Sequence, residues 1–375
     1  MSTVSHDRGL RALIRRLRRG LRRRAGRWLA RHTGTPAPIR APLTAPRRIL
    51  VCRINRRLGN CLFLTPLLRS LAKTYPDVRL EVLLRGQENA ALIATLPQVD
   101  RVHVIAPRPL SELRRLWKLL RTLRARRFDL VVDPSINSVG DRIALVLVGP
   151  RPRLGFAGRD QWLRLTHAAP YPSGTVHQAL LPLQLLTEAV SRPQPVLCQT
   201  LAVFPDQTAR QRAQNRLASA LGAAPQGSCL VGFFAQATGR KQLPAQWWTT
   251  WHATLVEREN PPIVLQLLPP GNDAPMVAGL PTVRTADLVE LAALLAQLNV
   301  FVAADSGPMH LAAAAGVPVL GLFAATDPRS FAPLGTGCHA LAPPPAPTEV
   351  ARQTLHMLAA AAPRPGGRRR PGPSI

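Results

Sequence analysis

Between residues 48 and 345, short all-apolar runs alternate with longer stretches in which apolar residues recur every three or four positions. "RILVCRI" leads into Leu62, Leu64, Leu67, Leu68 and Leu71, which predicts a strand and then a helix from Leu62 to Tyr75. "VRLEVLL", a short helix near Asn89 to Leu96, "VDRVHVI", the helix "LSELRRLWKLLRTLRARR" and "FDLVVD" follow. Around residues 190 to 228 the pattern lapses into "SRPQPVLCQT", a polar helix and "GAAPQGS". It then restarts with "CLVGFF", "PAQWWTTWHATLVERE", "PIVLQLL", "TADLVELAALLAQL", "NVFVAA", "GPMHLAAAA" and "VPVLGLF". Strands that are apolar at every position, separated by amphipathic helices, belong to parallel sheets covered on both faces.

Two such units of similar size predict an α/β fold of two doubly wound domains facing each other across a cleft. The crevice above the carboxyl ends of the strands is then the expected ligand site. The expected boundaries are a basic extension and linker over 1–47, domains over 48–195 and 196–345, a helix over 346–362 and a basic tail over 363–375.

The two ends differ from the middle. Residues 8–31 place Leu10, Leu13, Ile14, Leu17, Leu21, Trp28 and Leu29 at helical spacing, with arginines nearly everywhere else. Such a helix has an apolar stripe beside a cationic face and suits an anionic lipid surface. A mitochondrial presequence, a nucleic-acid-binding arm and a solvated tail share the pattern; a signal peptide does not, because the continuous apolar stretch is absent. A second cationic helix, Leu110 to Arg127 with Trp117, is expected to lie on the same side. The tail "PRPGGRRRPGPSI" holds too much Pro and Gly to fold.

The net charge of +29 is carried almost wholly by arginine, since Lys73, Lys118 and Lys241 are the only lysines. Nucleic-acid binding is not favoured: aromatic residues make up only 5% of the chain and do not interleave with the basic ones. Five scattered cysteines without CxxC spacing suit a reducing compartment and argue against a zinc site or a disulfide framework. No apolar run reaches the roughly 18–20 residues of a spanning helix. Leu311 to Ala325, the best candidate, is interrupted by Gly316, Pro318 and Gly321.

Three strand-to-helix junctions carry candidate chemistry. In "RINRRLGNCLFLTP", residues 53–66, Gly59 lets backbone approach a ligand and Asn60 points into the crevice. In "NVFVAADSGPMHLAAAA", Asp305, Ser306 and Gly307 form the turn, with Pro308 near the first helical position and His310 one turn later. The helix N-terminus there is an anion site suited to phosphate. Asp305 would repel phosphate and is better placed to accept hydrogen bonds from neighbouring sugar hydroxyls; the plain alternative is that Asp305 or Ser306 merely caps the helix. In "FAQATGRKQLPAQWW", Lys241 is a compact cation suited to a pyrophosphate.

"RRLGNCLFLTPLLRSL", "FDLVVD", "RLGF", "KQLPAQWW" and "ADSGPMHLAAAAGVPVLGLFAATDP" resemble, in order and spacing, glycosyltransferase family 9, the lipopolysaccharide heptosyltransferases. The resemblance covers roughly residues 48 to 345. It implies the GT-B architecture and an inverting, metal-independent enzyme without a cofactor. The nucleotide-sugar donor, often ADP-heptose, would sit on the second domain and a lipid-linked glycan acceptor on the first, at the cytoplasmic face of the membrane. Donor-side candidates are Thr238, Lys241, Asp305, Ser306, Gly307 and His310; acceptor-side candidates are Arg57, Gly59, Asp133 and Asp141.

The chain departs from the family where Gly59-Asn60 replaces Gly-Asp, whose Asp is the presumed general base. Gln236 replaces a glycine, and Ala324-Ala325 stands where Gly-Pro is usual. An amide cannot take a proton at neutral pH, and losing a base typically removes about 10²- to 10⁴-fold in rate. Either Asp133 or Asp141 substitutes, or the protein is a weakened transferase or a GT-B binding scaffold. A nucleotide-sugar epimerase would share the architecture but not these motifs.

Overall fold

The computed structural model describes residues 46–106, 112–136, 138–148, 152–157, 165–189, 194–222, 228–271 and 274–361. The amphipathic stretch over 8–31 and the tail over 363–375 lie outside the described residues.

The first half forms β1 (Arg48–Arg53), α1 (Leu58–Leu62), α2 (Thr65–Thr74), β2 (Arg79–Arg85), α3 (Gln87–Ile93) and β3 (Val99–Ile105). It continues with α4 (Leu113–Ala125), β4 (Leu130–Asp133), α5 (Val139–Val148), β5 (Arg153–Phe156), β6 (His167–Ala169) and α6 (Gln184–Ala189). The second half opens with α7 (Gln207–Leu221), β7 (Leu230–Phe234), α8 (Ala245–Val256), β8 (Ile263–Leu267), β9 (Thr282–Val283) and α9 (Leu288–Leu295). It closes with β10 (Val300–Ala304), α10 (Gly307–Ala314), β11 (Val319–Leu322), α11 (Pro328–Phe331), β12 (His339–Leu341) and α12 (Pro347–Ala361).

The sheets run β3-β2-β1-β4-β5-β6 and β12-β11-β10-β7-β8-β9, and every described pairing is parallel. Counted from its own first strand, the second order repeats the first. Each sheet therefore reverses direction once, between β1 and β4 and between β7 and β10, and ligands bind outside the strand ends at such points. β1 shows why the pattern lacks alternation. Ile49 and Val51 join the cluster beneath α2, while Leu50 and Cys52 join the opposite one with Leu123, Leu145 and Val148 of α4 and α5.

The expected helix from Leu62 to Tyr75 is two helices. Pro66 has no N–H to offer the Leu62 carbonyl, and the Thr65 hydroxyl donates to it instead at 2.9 Å. The expected helix near Asn89 to Leu96 starts earlier, directly after Gly86.

The halves are joined by more than a tether. Backbone N–H groups of Val196, Cys198 and Ala202 donate to Thr74 Oγ1, Ser70 Oγ and Thr65 Oγ1, a row of hydroxyls on α2, at 3.0, 2.8 and 3.2 Å. The same segment reaches the second half through Val203 N–H, which donates to Ala314 O at 3.1 Å. Leu62, Phe63, Leu92 and Ala179 of the first half pack into the apolar cluster of the second. No helix among the described residues is long and apolar enough to cross a membrane.

Glu81, fully buried on β2, accepts hydrogen bonds from Arg126 at 2.9 Å and pairs with His103 at 2.6 Å. Burial pushes its carboxyl up, but the hydrogen bonds and charges of Arg126 and His103 hold it below its ordinary 4.5. The stabilisation is therefore present above pH 4.5 and is lost as pH falls through the lowered value. Urea midpoints should fall on acidification through that range, and Glu81→Gln should flatten this slope; an unchanged slope in the variant would show that the pair is not the acid-labile element.

Candidate active site

β10 and β7, the central strands of the second sheet, deliver their loops to one point. β10 ends at Ala304, and the buried Asp305 donates its N–H to Leu322 O at 3.1 Å. Lys241, at the end of a 3₁₀ turn over Gly239–Lys241 after β7, places Nζ 2.5 Å from Asp305 Oδ2. Thr326 Oγ1, from the loop after β11, donates to the same oxygen at 2.6 Å. Asp305 Oδ1 takes no hydrogen bond among the described residues. The Lys241 side chain is 30% exposed against 7% for Asp305, so the ammonium keeps donors within reach of a ligand.

Ser306 is the N-cap of α10 in extended conformation, but its hydroxyl makes no capping bond. Its Oγ is buried without a partner, as are His310 Nδ1 and both amide atoms of Gln236. Buried polar atoms are rarely left unpaired in a native protein. Of these, the Ser306 hydroxyl and Gln236 Nε2 can donate to an oxygen-rich anion at the helix N-terminus, with Lys241 beside them, whereas Gln236 Oε1 can only accept. Capping therefore does not account for the Asp-Ser-Gly turn. Thr238 stands exposed at the start of the Lys241 turn.

The first half meets this point through α1. A Cβ added to Gly59 would lie 3.1 Å from His310 Cδ2, and one added to Gly307 would lie 3.1 Å from Leu58 Cβ. The first turns of α1 and α10 thus touch where both residues are glycine. Phe63 locks the contact edge-on against His310 at 4.7 Å and His177 at 5.7 Å, and stacks on Phe331 at 6.5 Å. His177 Nε2 lies 2.8 Å from Ala332 O across the same seam. Burial pulls the His310 imidazole down to about 4; the Asp305 carboxylate opposes this, while His177 and Lys241 add to it. His310 is neutral at pH 7. Asn60 is half-buried on α1 and makes no side-chain hydrogen bond among the described residues. Arg57, the N-cap of α1, is exposed, and its N–H donates to Asn55 Oδ1 at 2.9 Å.

Asp133 and Asp141, the acceptor-side carboxylates, are both hydrogen-bonded within the first half. Asp133, fully buried, accepts from Arg142 Nε at 2.8 Å and from Ser135 N–H at 2.9 Å. Burial is the main cause that raises its carboxyl to about 6, against the lowering charge of Arg142. Asp141 accepts from Ile54 N–H and, at 2.5 Å, from Ser135 Oγ. Both hold the carboxyl end of the first sheet together. Thr326, Phe63 and His177 were not among the sequence candidates; the only sign of Thr326 is its place in a Thr-Asp-Pro turn after an apolar strand. Among the described residues no group of three or more His, Cys, Asp or Glu is placed to hold a metal ion.

The family model for glycosyltransferase family 9 (heptosyltransferase) matches residues 116–353. Lipopolysaccharide heptosyltransferase 3 of Escherichia coli is 26% identical over 290 residues, covering 72% of this chain and 81% of its own. The structure of E. coli ADP-heptose lipopolysaccharide heptosyltransferase II aligns with a TM-score of 0.65 at 19% identity, over 84% of this chain and 99% of the other. E. coli heptosyltransferase WaaC with ADP aligns with a TM-score of 0.62 at 17% identity, over 84% and 100%. The two structures establish the fold as GT-B. The chain belongs to glycosyltransferase family 9.

Two outcomes follow from the seam. The His310 ring should titrate near 4 by NMR rather than near 6.5, and stability should drop as pH falls from 6.5 towards that value, because the unfolded chain's imidazole takes a proton that the buried ring does not. Gly307→Val should cost about 1–3 kcal/mol by overpacking against Leu58, with faster hydrogen exchange in α1 and α10. Unchanged exchange in both helices would contradict the close contact.

Proposed function

We propose that this family 9 glycosyltransferase moves a heptose-like sugar from a nucleotide-sugar donor of the ADP-heptose kind to a lipopolysaccharide core or another lipid-linked cell-envelope glycan. Transfer inverts the anomeric carbon and uses no metal ion. The reading rests chiefly on the Lys241–Asp305–Thr326 group at the start of α10, met by α1 from the opposite sheet. The names of the relatives supply the sugar, the nucleotide and the acceptor class.

Inversion needs an acceptor hydroxyl on one face of the sugar and the leaving diphosphate on the other. The second sheet serves the leaving group: Lys241 and the α10 N-terminus stabilise the charge that grows on the diphosphate as its bond to the sugar breaks. Asp305 Oδ1, without a hydrogen bond among the described residues, accepts from a sugar hydroxyl, while Oδ2 holds Lys241 in place. Ser306, Gln236 and His310 offer their unpaired polar atoms to the same donor. The first sheet serves the acceptor: Asn60 orients its hydroxyl, with Arg57 at the rim, and the proton leaves to solvent or to the acceptor's own groups. The N-terminal stretch 8–31 holds the protein peripherally on the cytoplasmic face of the membrane. No nucleic acid takes part.

A second reading, a weakened transferase or a donor-binding scaffold, is favoured by two observations. Position 60 is an amide, and Asp133 and Asp141 are both engaged in the fold. Rate measurements with ADP-heptose and a heptose-deficient core acceptor separate the readings. Asn60→Asp should raise turnover by up to about 10²-fold without tightening donor binding. Transfer that the substitution leaves unchanged would remove position 60 from the proton's path, and no transfer from either protein would support the scaffold.

A further inference from the structure

Four of the eight large hydrophobic residues that stand exposed among the described residues lie on the outer face of α4 and α5. Leu113 and Trp117 on α4 are 62% and 60% exposed, and Ile143 and Leu147 on α5 are 40% and 38% exposed. Both pairs are spaced by four residues, so each forms a stripe along its helix. The helices pack side by side over one face of the first sheet, and Arg124 Nε of α4 donates to Leu147 O of α5 at 2.8 Å. The exposed apolar residues of both helices therefore lie on one side of the first sheet.

Cations surround these residues. Arg114, Arg115, Lys118, Arg121 and Arg124 are exposed on α4, and the Arg121 guanidinium lies 4.6 Å from the centre of the Trp117 ring. Neither helix carries an exposed carboxylate: α4 has none, and Asp141 of α5 is buried. Glu112, just before α4, pairs with Arg115. A core-facing role is excluded by exposure, and a purely solvated face would not carry Trp and Leu at its centre.

We infer that the α4–α5 face is a docking surface for an anionic lipid bilayer. Trp117 and its apolar neighbours enter the headgroup boundary while the arginines and Lys118 meet lipid phosphates. The amino ends of both helices follow the carboxyl ends of β3 and β4, so Leu113 and Trp117, on the first turns of α4, lie toward the strand ends where the cleft opens. The use of this face, to bring the cleft to a lipid-linked acceptor, rests on the proposed transfer; its affinity for lipid does not, and no substrate is needed to measure it.

The test is co-sedimentation of the full chain with vesicles of phosphatidylglycerol and phosphatidylcholine, against pure phosphatidylcholine. Binding should require the anionic lipid and weaken at high salt. Arg114→Ala should lower partitioning about fivefold, and Trp117→Ser should lower it about tenfold or more. Because the N-terminal stretch also binds in the proposed scheme, hydrogen exchange on the unmodified chain supplies the second arm. Peptides spanning 113–125 and 139–148 should become protected on anionic vesicles, while 207–221 should not. Unprotected α4 and α5 peptides, or unchanged partitioning in both variants, would overturn the inference. Protection by a homopolymeric RNA and not by vesicles would overturn it in favour of a nucleic-acid surface.

Discussion

The approach of α1 to α10, backbone against side chain at Gly59 and Gly307, is the constraint on which the rest of the site depends. Two facing sheets do not by themselves place their strand ends together. Here Phe63 fills the seam among His310, His177 and Phe331, and aromatic pairs of this kind contribute about 0.5–1.5 kcal/mol each beyond their buried area. The segment 196–204 reinforces the contact by satisfying its N–H groups on the buried hydroxyls of Thr65, Ser70 and Thr74. A side chain larger than hydrogen at either glycine would crowd His310 or Leu58 across this seam.

The charges are arranged around that seam according to their burial. Asp133 and Arg142, both buried, are occupied by each other, and breaking such a pair costs about 3–5 kcal/mol. Lys241 and Asp305 are paired as well, but the lysine is part-exposed and keeps N–H donors free. The first pair is architecture, and the second is a cation held ready. Asp305 meets both Lys241 and Thr326 on one oxygen, and its other oxygen takes no hydrogen bond among the described residues. His310 stays uncharged because its ring is enclosed by Phe63, so the seam carries no extra cation at neutral pH.

Much of this was legible in the chain. All-apolar runs such as Leu130 to Val132 can only be central parallel strands, and their repetition after residue 228 indicates the second sheet. The Asp305–Gly307 turn and Lys241 each stand between a strand and a helix, which local pattern reveals. What pattern does not reveal is which distant group each polar residue meets. Asp133 at the end of β4 and Asp141 in the first turn of α5 look alike in the chain, yet Arg142 and Ser135 claim them through the tertiary fold. Thr326 meets Asp305, and His177 meets Ala332, across separations of many residues. Pro66 signals the break between α1 and α2, but the leucine periodicity through Leu62 and Leu71 overrides it on a linear reading.

The central claim is that Lys241 and Asp305 form one unit that receives the donor diphosphate. Calorimetry with ADP on a double-mutant cycle, Lys241→Ala, Asp305→Ala and both together, tests it directly. Loss of Lys241 should weaken ADP roughly 10- to 100-fold, the range of a charge-assisted hydrogen bond. In that background, removing Asp305 should change ADP binding no further, because its effect on the diphosphate acts through the lysine. ADP binding that is indifferent to Lys241, or losses that simply add, would contradict the account.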